Sequence, residues 1–66
     1  MITTYERIRE LYGKTVYILD GTVLEGKVVR GDRDGNAYIL LTDGRTVCRD
    51  GRWGVFTNRD EAEAWL

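Results

Sequence analysis

The sequence predicts a mainly β (α+β) fold: a small barrel of about five strands with a short helix at either end. Asp-Gly pairs recur through the middle of the chain, and such pairs are strong β-hairpin signals because Gly reaches positive φ without strain. They are Asp20-Gly21, Asp34-Gly35, Asp43-Gly44 and Asp50-Gly51. The segments between them are rich in β-branched and aromatic residues. The chain has 66 residues, which suits a single domain spanning residues 1–66.

A short helix is predicted over residues 3–12. Thr3 and Glu6 have the spacing of a capping box. The apolar side chains of this segment recur at helical spacing and define one stripe: Tyr5, Ile8, Leu11 and Tyr12. Gly13 then supplies a left-handed stop. Because a helix this short is unstable alone, we expect its apolar stripe to dock on the barrel.

The barrel is predicted over residues 15–57. Its strands are expected at 15–19, 23–30, 37–42, 45–49 and 53–57. The third strand is the most apolar, so we expect it to be central and buried on both faces. Gly26 lies inside the second strand, which predicts a bend or a close backbone approach there. Strands of this length would close into an SH3-like or Sm-like barrel, which removes exposed edges.

A second helix is predicted over residues 58–66. Asn58 is a favourable N-cap, and the acidic residues that follow it suit the helix dipole. The apolar residues again form one stripe: Ala62, Trp65 and Leu66. We therefore expect this helix to cap an open end of the barrel, with Trp65 as a core anchor and not a recognition residue.

The composition argues against several kinds of chemistry. The chain has no histidine, no serine and a single cysteine, Cys48, so neither an intrachain disulfide nor a Ser-His or Cys-His pair can form. A structural zinc site normally needs Cys and His together. We therefore expect no metal site, no cofactor and no enzyme activity. Cys48 itself is expected to be a buried apolar residue.

The same features bear on location. No apolar run approaches the ~18 residues of a membrane span, and the first residues lack the basic and apolar regions of a signal peptide. A lone cysteine also suits a reducing compartment. The sequence therefore predicts a cytoplasmic protein with no membrane partner.

Charge patterning predicts an interaction face. The net charge of −1 disfavours a generic nucleic-acid binder, since those carry a basic footprint. Arginines are nonetheless concentrated in the hairpins, and arginine suits bidentate contacts with anionic groups. The predicted interaction face consists of Arg30, Arg33, Arg45, Arg49, Arg52 and Trp53. The adjacent Arg52 and Trp53 resemble an interface hot spot. Ordinary solvated strand faces remain the alternative.

A first resemblance covers residues 5–41. The run Leu19-Asp-Gly-Thr-Val-Leu-Glu-Gly26 is followed by Asp32, by Asn36 and by an apolar strand. This pattern resembles the first signature of Sm-like proteins, a family with a short helix before the first strand. In that family the Asp and Asn help to form a uracil-binding pocket, and subunits assemble into rings through strand pairing.

The Sm-like resemblance extends less completely to the second signature. The segment Val47-Cys-Arg49-Asp-Gly51 is similar to that family's Arg-Gly pair, with one extra residue, Asp50. The implied nucleotide pocket would consist of Asp32, Asn36, Arg49 and Gly51. The alternative function is thus an oligomeric RNA-binding or nucleotide-binding protein. A plain hairpin turn at Asp32 and Asn36 competes with this interpretation.

A second resemblance covers the C-terminal third. The segment Trp53-Gly-Val-Phe-Thr-Asn-Arg-Asp-Glu-Ala-Glu-Ala-Trp-Leu66 is similar to the ending of small SH3-like barrel proteins from phages, prophages and mobile elements. Most of these are accessory or inhibitory binding proteins. The resemblance implies a non-enzymatic inhibitor, with an anti-defence role among the options, that occludes a host or phage protein. A purely structural role and a homo-oligomer remain open.

Overall fold

The computed structural model describes residues 3–66 and shows an open antiparallel sheet with two short helices. The elements in chain order are α1 (Thr4–Glu10), β1 (Thr15–Leu19), β2 (Val23–Gly31), β3 (Asn36–Leu41), β4 (Thr46–Asp50) and α2 (Arg59–Ala64). The sheet has four strands in the order β1-β2-β3-β4, so each strand pairs with its neighbour in sequence. Both helices and the first four strands lie where the sequence predicts them.

The predicted closed barrel is wrong. In place of a fifth strand over residues 53–57, the segment makes one isolated bridge between Phe56 and Tyr17 on the edge of β1. The N–H of Tyr17 donates to the Phe56 carbonyl at 2.8 Å, and the reverse bond measures 2.9 Å. After β4 the chain turns, and the Gly54 N–H donates to the Asp50 carbonyl at 2.8 Å. This turn includes the first residues of the predicted fifth strand. The four-stranded sheet therefore stays open.

Three of the four Asp-Gly pairs form the hairpin turns as predicted. Gly21, Gly35 and Gly44 have φ of 72°, 90° and 92°, values that favour glycine. The fourth pair behaves differently, because Gly51 is not among the positive-φ residues. An ideal Cβ on Gly51 would lie 2.7 Å from Cγ1 of Ile8, so glycine is needed there for space.

The core lies on one face of the sheet and under α1. Its buried side chains are Ile8, Val16, Ile18, Val28, Ala37, Ile39, Leu41 and Val55. Ile8 is 1% exposed and joins α1 to the sheet, which confirms the expected docking of this helix. The capping box of Thr3 and Glu6 is also present.

The opposite face of β3 is accessible. Leu40 is 44% exposed, so the expectation that this strand is buried on both faces is wrong. The open sheet explains this, because no second layer within residues 3–66 covers the outward side chains of β3. Gly26 does mark a close backbone approach, since an ideal Cβ there would lie 2.6 Å from the Leu40 carbonyl oxygen. Cys48 faces outward from β4 and is exposed, which corrects its predicted burial.

Helix α2 lies against β1 and β2 and does not plug the core. It begins after the predicted N-cap, Asn58, whose side chain accepts the N–H groups of Asp60 and Glu61. Ala62 is its only buried residue. Trp65 is 75% exposed, so its predicted role as a core anchor is wrong. A helix of six residues turns one small side chain inward and leaves the large ones that follow it outside.

Two further observations concern the described residues. Within residues 3–66, no helix is long and apolar enough to cross a membrane. The same part of the chain holds no cluster of three or more His, Cys, Asp or Glu side chains suited to a metal ion.

Candidate functional site

An open apolar groove of about 450 Å³ lies between α2, the segment after β4 and α1. We call it the tryptophan groove and define it by six of its lining residues: Arg7, Arg52, Trp53, Phe56, Glu61 and Trp65. Arg7 comes from α1 and Glu61 from α2, whereas the other residues belong to the turn after β4, the Phe56 bridge and the C-terminal end of α2.

Both tryptophans of the chain line this groove and face solvent. Trp53 is 74% exposed and Trp65 is 75% exposed. Phe56 supports the second of them, with ring centroids 6.5 Å apart and an interplanar angle of 44°. Aromatic side chains of this size, next to arginine, dominate the binding energy of protein interfaces. The groove therefore has the composition of an interface centre.

Arg52 is held at the groove by Asp50. Its backbone N–H donates to Oδ1 of Asp50 at 2.8 Å, and its Nη2 donates to Oδ2 at 3.1 Å. These bonds hold the pKa of Asp50 below its ordinary value and raise the pKa of Arg52. The guanidinium also lies 5.6 Å from the Trp53 ring centroid. The ion pair with Asp50 therefore holds the Arg52 guanidinium beside the indole and neutralises its charge.

Arg7 and Glu61 carry the remaining charges of the groove. Nη1 of Arg7 donates to the Gly51 carbonyl at 3.2 Å, which directs the guanidinium toward the turn after β4. Glu61 stands in the first turn of α2, where an acidic residue suits the helix dipole. Within residues 3–66, neither side chain forms an ion pair.

The residues of the predicted arginine face lie in different parts of the surface. Arg52 and Trp53 lie in the groove, and Arg33 lines an adjoining recess that Arg52 also borders. Arg30 is on the outward face, with its guanidinium 4.1 Å from the Tyr38 ring centroid. The structure thus brings together three of the six predicted residues, and Arg30 lies apart from them.

The other two arginines of that face make local contacts. Arg45 pairs with Asp43 in the β3–β4 turn at 2.8 Å. Arg49 donates from Nη1 to the neighbouring Cys48 carbonyl at 3.0 Å. Exposed pairs and neighbour contacts of this kind contribute little to stability. Neither residue lines the tryptophan groove.

The alternative nucleotide pocket coincides with the β2–β3 turn. Oδ1 of Asp32 accepts the N–H groups of Asn36 at 2.9 Å and Asp34 at 3.0 Å. Oδ2 accepts Nδ2 of Asn36 at 3.3 Å and the Tyr38 hydroxyl at 3.4 Å. The backbone bond from Asn36 is the main reason that the pKa of Asp32 is lowered. Both oxygens therefore hold the turn.

The remaining two residues of that pocket lie at the same end of the sheet. Arg49 is the register partner of Ala37 in β3. Gly51 donates its N–H to the Gly35 carbonyl at 2.7 Å and leaves room for Ile8. The structure thus brings the four residues to one region, where the contacts of Asp32, Asn36 and Gly51 are those of a folded turn.

Comparison with known proteins finds no match for this chain. No protein-family model matches it, and neither the curated proteins nor the solved structures contain a match.

Sequence reasoning missed Arg7, Phe56, Glu61 and Trp65 as site residues. The helical spacing from Ala62 placed Trp65 on the predicted inward stripe, but α2 ends at Ala64, before Trp65 is reached. No comparable signal marks Arg7, since its place in the groove depends on how α1 packs beside the turn after β4.

Proposed function

We propose that this protein is a non-enzymatic binding protein that contacts a protein partner through the tryptophan groove. One observation carries the proposal: two tryptophans that are about three-quarters exposed share one groove, Trp53 at 74% and Trp65 at 75%. Exposed apolar patches on small domains commonly mark interaction sites. Tryptophan and arginine are also the residues most enriched among interface hot spots.

A protein partner fits this groove better than a nucleic acid does. Binding to nucleic acid depends on arginine and lysine charges that are free to meet phosphates. Here the charge of Arg52 is neutralised by Asp50, and the negative Glu61 offsets the positive Arg7 on the same surface. The net charge of the chain is −1. These features favour a mixed polar and apolar surface such as another protein presents.

The partner is proposed to be a host or phage protein, and the mode of action is occlusion of its functional surface. The C-terminal resemblance to small phage and mobile-element proteins supports this choice. An Sm-like RNA-binding or nucleotide-binding protein stays the alternative prediction. No observation in the described residues favours it, because the Asp32 carboxylate already holds the β2–β3 turn.

Affinity capture from bacterial lysates, with and without phage infection, tests the proposal. The wild-type protein is compared with Trp65→Ala and with Val29→Ala, a matched loss of an apolar side chain that is 50% exposed outside the groove. We expect one stoichiometric partner with the wild type and with Val29→Ala, and its loss with Trp65→Ala. Equal recovery by all three proteins, with matching melting temperatures, would rule out the groove as the binding surface.

A further inference from the structure

We infer that the tryptophan groove also binds the groove of a second copy of this chain, in a two-fold symmetric dimer. This inference goes beyond the proposed function and does not require the heterologous partner to exist. It rests on the arrangement of charge and apolar surface in the groove. Where the partner is present, it would compete with the second copy for the same surface.

The groove is neutral in sum but divided in charge. Arg52 and Asp50 cancel one another, which leaves the positive Arg7 on α1 and the negative Glu61 on α2. These two side chains form no ion pair within residues 3–66, either with each other or with a third residue. A surface with one unneutralised charge of each sign is complementary to neither an acidic nor a basic partner.

Such a surface is complementary to itself under two-fold symmetry. In a two-fold interface, residue i of one copy meets residue j of the other, and the same contact occurs a second time. A two-fold axis through the groove lets Arg7 of each copy meet Glu61 of the other. The apolar centre, with Trp53 and Trp65, then meets its own symmetry mate.

The apolar area indicates a weak dimer. A buried tryptophan covers about 150–250 Å², so two that are mostly exposed offer roughly 300 Å² from each copy. Stable interfaces bury about 1,200–2,000 Å² in total, so the four indoles supply roughly half of the lower figure. Phe56 and the stems of the charged side chains add to this. An interface of this size is that of a weak, transient complex, so we expect an association that a partner can displace.

Intrinsic fluorescence together with sedimentation tests the dimer directly. The chain has two tryptophans and both line the groove, so all tryptophan emission reports on this surface. As the concentration rises, we expect the sedimenting mass to double and the emission maximum to shift to shorter wavelength along the same isotherm. Trp65→Ala should weaken the association at least tenfold while leaving the melting temperature near that of the wild type.

Charge reversal supplies the decisive test of the geometry. Arg7→Glu places a carboxylate opposite Glu61 twice in the dimer, and Glu61→Arg places two guanidinium groups opposite Arg7. Each variant alone should dimerise roughly tenfold more weakly, since two rim pairs change from attraction to repulsion. An equimolar mixture of the two variants restores both attractive pairs, so heterodimers should form with near wild-type affinity.

Matched controls separate this effect from net charge. Arg9→Glu on α1 and Asp60→Arg on α2 make the same charge changes outside the groove lining, and their mixture should show no preference for heterodimers. The inference is overturned if the wild type stays monomeric up to about 1 mM, or if the Arg7 and Glu61 variants do not complement one another. Neither result contradicts capture of a heterologous partner by the groove, so the failure of this inference is distinguishable from the failure of the proposed function.

Discussion

Replacing Gly51 by alanine tests how α1 is locked onto the sheet. An ideal Cβ at this position would lie 2.7 Å from Cγ1 and closer still to Cδ1 of Ile8, and 3.1 Å from the Gly35 carbonyl oxygen. Ile8 is 1% exposed and packed in the core, so it has little room to move. The added methyl group should therefore force α1 away from β3 and β4.

The expected loss follows from the cost of overpacking. Adding a methyl group to a close-packed core destabilises by about 1–3 kcal/mol. For a domain of this size each kcal/mol shifts the melting temperature by about 4–8 °C. We expect Gly51→Ala to lower the free energy of unfolding by about 2 kcal/mol, or roughly 8–16 °C, measured by circular dichroism or calorimetry.

A double-mutant cycle with Ile8→Val identifies the cause. Ile8→Val removes Cδ1, the atom nearest the new methyl group, and alone should cost about 0.5–1.5 kcal/mol. If the steric explanation is correct, the double variant should lose about 1 kcal/mol less stability than the two single losses added together.

Gly44→Ala in the β3–β4 turn serves as the control for the cycle. It has a φ of 92° and nothing within 4 Å of its ideal Cβ, so its effect should be strain alone and should simply add to that of Ile8→Val. Strict additivity for the Gly51→Ala pair as well would refute the reasoning.

Two further predictions concern the β2–β3 turn and the start of α2. Because the pKa of Asp32 in the folded protein lies below its ordinary value of 3.8, its contribution to stability is present above that pH and is lost as pH falls through the lowered pKa. The gap in melting temperature between wild type and Asp32→Asn should therefore be widest near neutral pH and shrink below about pH 4, with Asp20→Asn as the control; a gap independent of pH would contradict this role. Asn58→Ala should lower stability by about 1 kcal/mol in thermal unfolding, since its Oδ1 caps Asp60 and Glu61 at 2.8 and 3.3 Å, whereas Asn58→Ser should restore most of it.

The elements of this fold could be predicted because their signals are local. The capping box of Thr3 and Glu6 and the cap at Asn58 each depend on a few consecutive residues, and both are present. The first three Asp-Gly pairs define their turns in the same way. Alternation along β1 is a local pattern as well, and there Val16 and Ile18 are buried.

Closure of the barrel could not be predicted, because it depends on contacts between distant segments. The segment from Trp53 to Thr57 has strand-forming residues, yet only Phe56 pairs with β1. The turn after Asp50 extends to Gly54 and so includes the start of this segment. The burial of Cys48 was wrong for the same reason, since an open sheet leaves the outward face of β4 uncovered. Strand propensity alone does not distinguish a full ladder from a single bridge.

The position of the two tryptophans has a physical consequence for the whole molecule. Full burial of a large apolar side chain contributes about 1.5–3 kcal/mol, and small domains have only about 5–15 kcal/mol of net stability. This chain forgoes such a contribution at Trp53 and again at Trp65, while its core is built from smaller side chains such as Ile8, Ile18 and Ile39. Isolated exposed apolar residues are common on any protein, and Val29 and Leu40 on the outward face are examples. Two indoles that share one groove with Phe56 and Arg52 are different, because together they form one continuous apolar surface. The free energy of burying that surface is gained only when a second surface covers the groove.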